Sequence, residues 1–185
     1  MLLPIYITSI RILLIPVLVF LYLWYPHKPL YTVVVFVFSG ITDWLDGFFA
    51  RYLEAVTALG RFLDPVADKM VMVTMLLLLG SRSTNPWYIT AFIVMVLREI
   101  LILAVREWMS RIGKSELVDV SLAGKLKTFV QFIAISVVVL CMHGEGIYAH
   151  VSDFAVIISV SLTVWSLGVY LIQAKPYLTR AQDGG

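Results

Sequence analysis

The sequence predicts an all-α integral membrane protein with six transmembrane helices and both termini in the cytoplasm. Three observations predict it. Hydrophobic residues make up 61% of the 185-residue chain, against about 45–50% in a soluble domain. With a mean hydropathy of +0.93, that excess cannot be hidden inside a core of this size, so the solvent is lipid. Six apolar stretches are separated by short polar breaks, each near the length a helix needs to cross a bilayer. Lysine and arginine gather on alternate breaks, which orients the helices.

The first stretch, residues 5–25, stops at Pro26-His27-Lys28-Pro29. No basic segment precedes it, no small-residue cleavage site follows it, and Arg11 sits inside it, so the helix is expected to be retained rather than cleaved as a signal. The second runs from residue 31 into the Asp43 region. The third covers 62–79 and ends at Gly80-Ser81-Arg82-Ser83-Thr84-Asn85-Pro86. The fourth covers 87–108. The fifth covers 122–142 and ends at His143-Gly144-Glu145-Gly146. The sixth covers 151–171, with a polar tail over about 174–185. Trp24, Trp87, Tyr88, Trp108 and Tyr148 lie near these ends, where interfacial aromatics belong. Residues 1–185 form one bundle domain, with no linker, short repeat or low-complexity segment. A net charge of +2 implies no nucleic-acid partner, and a single cysteine, Cys141, excludes an internal disulfide. His27, His143 and His150 share no ligand spacing.

Breaks after odd-numbered helices carry only Lys28 and Arg82. The other side carries Arg51, Arg61, Lys69, Arg106, Arg111, Lys114, Lys125, Lys127, Lys175 and Arg180. The positive-inside rule therefore places both termini, and the polar face spanning helices two to five, in the cytoplasm.

The chemistry concentrates where helix two ends and helix three begins. Asp43, Asp46, Asp64 and Asp68 are four carboxylates in one membrane-embedded region, each costing roughly 2.5–3.5 kcal/mol on insertion scales. At about 100° per residue, Asp43, Asp46, Gly47 and Ala50 share one face of helix two, and Gly60, Asp64 and Asp68 share one face of helix three. A short connection makes the helices antiparallel neighbours, so the faces can meet. Two divalent cations would neutralise the four carboxylates, and all-oxygen ligation selects Mg2+ or Mn2+. Paired ions suit in-line displacement at phosphorus. Gly47 and Ala50 leave a wall without bulk where a nucleotide would approach, and Arg51 offers a fork suited to phosphate. The alternatives are helix packing for Gly47 and Gly60 and a snorkelling anchor for Arg51.

The segment resembles the signature of the CDP-alcohol phosphotransferases, D-x2-D-G-x2-A-R-x8-G-x3-D-x3-D, matched at Asp43, Asp46, Gly47, Ala50, Arg51, Gly60, Asp64 and Asp68. The resemblance implies a six-helix fold, a homodimer, a cytoplasm-facing cavity, a CDP-linked lipid donor and release of CMP. It also implies roles. Asp43, Asp46 and Asp64 are the core metal ligands, and Asp68 is the general base that also contacts metal. Gly47, Ala50 and Arg51 line the CDP site, with Gly60 beside them.

A second cluster narrows the acceptor. Arg98-Glu99-Ile100 and Arg106-Glu107-Trp108 fall on helix four, Gly124-Lys125-Leu126-Lys127-Thr128 opens helix five, and Gln131 follows one turn on. These residues are similar to the branch of the family whose acceptor is glycerol 3-phosphate. Pro4, Thr8 and Arg11 also match it, while Leu2 stands where that branch often has asparagine. An acceptor that is itself a phosphate monoester needs cations beyond those holding CDP, and Arg98, Arg106, Lys125 and Lys127 are the candidates. Arg98 and Arg106 lie within about 80° of each other around the helix. The plainer reading makes Arg106, Arg111, Lys114, Lys125 and Lys127 ordinary positive-inside residues, and it is preferred for Arg111 and Lys114. The resemblance thus implies phosphatidyl transfer from CDP-diacylglycerol to glycerol 3-phosphate in a bacterial cytoplasmic membrane. The rivals are the same chemistry on serine or an inositol phosphate, and a small cation transporter. Arg51 beside the carboxylates argues against the transporter.

Overall fold

The apolar stretches become six helices, α1 (Leu3–Trp24), α2 (Pro29–Tyr52), α3 (Ala58–Arg82), α4 (Pro86–Arg111), α5 (Leu122–Cys141) and α6 (Ile147–Arg180). The computed structural model describes the backbone of residues 3–52, 58–111, 122–141, 144 and 146–180, and the side chains of 10–42, 66–67, 69–111, 128–141, 144, 146–173 and 175. Helix starts follow local chemistry. Pro29 and Pro86 occupy first helical positions, where a missing N–H costs nothing. The Asn85 side-chain oxygen accepts a hydrogen bond from the Trp87 N–H at 3.0 Å, capping α4. The turn into α6 needs Gly146, whose φ of 61° lies in the left-handed region.

As expected, α2 continues through Asp43 and Ala50 to Tyr52, so its whole part of the signature rides on one helix. One helix differs from expectation in length. α6 reaches Arg180, and the tail expected from residue 174 is helical for its first turns. The chain is all-helical over the described residues. The segments Pro86–Arg111 and Ile147–Gln173 are long and apolar enough to cross a membrane, while Ile10–Trp24, Pro29–Thr42 and Thr128–Cys141 are shorter apolar helices.

α1 packs on α2 and α3, α3 on α4, α4 on α6, α6 on α5, and α5 back on α2. One core receives a side chain from every helix, among them Leu18, Phe36, Met75, Met95, Val139 and Val156, all buried. Leu13, Phe20, Leu77, Leu97, Phe154 and Trp165 face outward and exposed, an apolar exterior suited to lipid. A smaller cluster of Ile102, Met109 and Tyr170, with Val105, Trp108 and Leu167 against it, ties the later turns of α4 to α6. The end where α3 meets α4 is fixed differently. There the Tyr88 hydroxyl donates to Asp153 Oδ1 at 2.8 Å, and Arg82 donates to the Leu23 carbonyl at 3.0 Å.

Candidate active site

The signature lies on the last turns of α2 and the first turns of α3, two helices in contact. Asp43, Asp46, Gly47, Ala50 and Arg51 follow one another along α2, and Gly60, Asp64 and Asp68 along α3. Their side chains lie outside the described residues, as do those of Lys125 and Lys127 in the first turns of α5. The chemistry of the donor set fits hard cations, since four carboxylates supply only oxygen. Among the described residues there is no cluster of histidine, cysteine, aspartate and glutamate that could hold a metal.

The turn leading into Asp43 is shaped by α5. The Ser39 hydroxyl donates to the Phe36 carbonyl, and the Thr42 hydroxyl to the Ser39 carbonyl, each at 2.7 Å. Both polar groups are thereby satisfied within the helix. Phe132 of α5 stacks on Phe36 with ring centroids 4.0 Å apart and planes 4° off parallel. The same ring covers Gly40, where a Cβ would come 2.6 Å from its tip. Glycine at this position is what lets α5 sit so close to α2. Beside Phe132, Gln131 is fully buried, and its amide oxygen and nitrogen have no hydrogen-bond partner among the described residues.

On α4 the expected acceptor residues come together. Arg98 is 5% exposed, and it donates to Glu99 Oε1 at 3.3 Å and to Ser166 Oγ of α6 at 2.9 Å. Arg106 donates to the Tyr170 hydroxyl at 3.0 Å. The guanidinium carbons of Arg98 and Arg106 lie 5.7 and 5.6 Å from the centre of the same Tyr170 ring, within cation–π range. Two arginines about 12 Å apart along the helix axis thus converge on one aromatic ring. The Nε of each is buried and has no hydrogen-bond partner among the described residues.

Glu99 makes a second contact, an ion pair with Lys69 Nζ of α3 at 3.0 Å. Lys69, counted in the sequence among the cations of one side, is thus paired across two helices. Arg111 pairs with Glu107 at 3.0 Å on the exposed surface. Such a pair contributes little. Ser166 and Tyr170 were not legible in the sequence, because a serine and a tyrosine near the end of an apolar helix also read as ordinary packing and interfacial residues.

A family model described as CDP-alcohol phosphatidyltransferase matches residues 1–165. The chain is 41% identical over 174 residues to a protein of Sodalis glossinidius, covering 93% of this chain and 94% of the relative. It is 42% identical over 174 residues to one of Pectobacterium atrosepticum, with the same coverage. A Haemophilus influenzae protein is 38% identical over 174 residues, covering 93% and 92%. Each relative is named CDP-diacylglycerol–glycerol-3-phosphate 3-phosphatidyltransferase.

Proposed function

Because the chain belongs to the CDP-alcohol phosphatidyltransferase family, we propose that it transfers a phosphatidyl group from CDP-diacylglycerol to sn-glycerol 3-phosphate, giving phosphatidylglycerophosphate and CMP. The observation that carries the acceptor is the convergence of Arg98 and Arg106 on Tyr170, with buried Nε donors to spare. Lys69, Arg98, Arg106 and Glu99 together carry a net charge of three positive minus one negative, or +2. A phosphate monoester carries about −1.5 to −2 at neutral pH. Free serine or another phosphate-free alcohol would leave that positive charge unanswered.

Asp43, Asp46 and Asp64, with Asp68, would hold two divalent cations, Mg2+ or Mn2+. Once bound, these ions withdraw charge from the phosphoryl oxygens and from departing CMP. Gly47, Ala50, Gly60 and Arg51 would receive CDP, the small residues by leaving room and Arg51 by its phosphate-matched fork. Asp68 takes the proton of the acceptor's primary hydroxyl. That oxygen bonds to the phosphorus bearing diacylglycerol as the bond from this phosphorus to CMP breaks, and CMP leaves with the electron pair. Lys125 and Lys127, in the first turns of α5, are the further cations assigned by this reading to the acceptor phosphate.

The remaining expectations belong to this reading: six membrane spans, cytoplasmic termini, an active site facing the cytoplasm of a bacterial inner membrane, and a homodimer. The one-sided distribution of lysine and arginine supports the orientation. Purified protein in detergent with magnesium, CDP-diacylglycerol and labelled glycerol 3-phosphate provides the test. Label is expected to enter the lipid phase and to stop entering it with a chelator or in Asp43→Ala. Transfer to serine or an inositol phosphate, with none to glycerol 3-phosphate, would move the chain to another acceptor within the family.

A further inference from the structure

We infer that Tyr170, with Ser166 one turn before it, is the positioning device that makes Arg98 and Arg106 a phosphate-selective pair. The inference rests on the acceptor reading above. Neither residue lies in the region matched by the family model, which ends at residue 165.

Two guanidinium groups repel, and in a low-dielectric interior they separate unless something fixes them. The Tyr170 ring lies within cation–π distance of both at once. Its hydroxyl fixes Arg106 by accepting at 3.0 Å. The Ser166 hydroxyl fixes Arg98 by accepting at 2.9 Å and is itself oriented by donating to the Thr163 carbonyl at 3.1 Å. Tyr170 is 2% exposed and packed by Ile102, Met109 and Leu167, so the ring has nowhere to swing. Each arginine also keeps a buried Nε–H with no hydrogen-bond partner among the described residues. The pair is thus held by α6 through its terminal nitrogens and by the ring, while at least one donor on each is left for a ligand. A phosphate monoester matches that charge and donor pattern, and a neutral alcohol does not.

The test is steady-state kinetics of the full-length enzyme with magnesium, comparing wild type, Tyr170→Phe, Tyr170→Leu and Ser166→Ala. In Tyr170→Leu the KM for glycerol 3-phosphate is expected to rise about tenfold or more, the size of one lost charge-assisted contact. The KM for CDP-diacylglycerol should stay within about twofold, since a uniform effect on the fold would move both. The preference for glycerol 3-phosphate over glycerol should shrink in parallel. Tyr170→Phe keeps the ring and loses only the hydroxyl, so it should unfold closer to the wild-type temperature than Tyr170→Leu and show a smaller rise in the same constant. An unchanged acceptor KM in both Tyr170→Phe and Ser166→Ala would overturn the inference, as would an equal rise for donor and acceptor. A wild-type enzyme that prefers a phosphate-free alcohol would instead overturn the acceptor reading, and this role with it.

Discussion

Lys69 Nζ stands 3.0 Å from Glu99 Oε2, joining α3 one residue after Asp68 to α4 one residue after Arg98. The other oxygen of the same carboxylate receives Arg98 Nη1 at 3.3 Å. Glu99 is 2% exposed, so its charge is answered by protein rather than by water. One buried carboxylate thereby links the helix of the proposed base to the helix of the proposed acceptor cations.

Glu99→Gln keeps the volume and removes the charge, leaving Lys69 and Arg98 without it. Removing one partner of a buried pair costs about 3–5 kcal/mol, and a lower unfolding temperature in detergent is expected. Glu99→Leu should be no better, because the cations remain. A variant as stable as wild type would show that water or lipid head groups already compensate the two cations.

Asp68→Asn separates proton transfer from metal binding. General-base catalysis contributes about 10²–10⁴-fold, and turnover should fall by that factor while protection by magnesium and CMP against thermal unfolding persists. Asp43→Ala should lose both. Near-normal turnover in Asp68→Asn would remove the base assignment and leave Asp68 as a ligand only.

Gly40→Ala places a methyl group where the tip of the Phe132 ring sits. Overpacking of this kind costs about 1–3 kcal/mol, and it would push α5 off α2 one turn before Asp43. Phe132→Leu should be costly alone and yet rescue Gly40→Ala in part. The coupling is read from a double-mutant cycle of unfolding temperatures and turnover. Strict additivity would mean that the two positions are not in contact.

Gln131→Leu replaces a buried amide that has no partner among the described residues. Removing an unanswered polar group from an apolar site gains about 1–3 kcal/mol. The unfolding temperature of the ligand-free protein should therefore rise or hold. Turnover should drop if the amide meets substrate, and a destabilised variant with normal turnover would show that the amide has a structural partner instead.

The six helices were legible because the sequence falls into six apolar stretches broken by short polar ones. The eight signature positions stand out in the sequence because four aspartates so close together in apolar helices are too costly to be incidental, and the structure places them on two helices in contact. Arg98 was legible for the same reason, as a charge deep in an apolar helix. Its partner in α6 was not, since Ser166 lies 68 positions along the chain and nothing in the sequence states which faces of α4 and α6 meet. Lys69 was counted only among the cations of one side, and nothing in the sequence paired it with Glu99; the packing of α3 on α4 brings the two together. The length of α6 was underestimated because its last turns are polar, and hydropathy measures where lipid ends rather than where a helix ends.

The dependence of Arg98 and Arg106 on Ser166 and Tyr170 also carries an order in time. Chains are synthesised from the N-terminus, so α4 emerges well before the helix that holds its arginines. Until α6 has been made and docked, the two cations lack their restraint, however completely α2 and α3 have formed. The signature part of the proposed site can therefore mature early, while the proposed acceptor part must wait for the last helix. A nascent chain arrested before residue 166 would carry every signature aspartate and still lack the α6 contacts that hold Arg98 and Arg106.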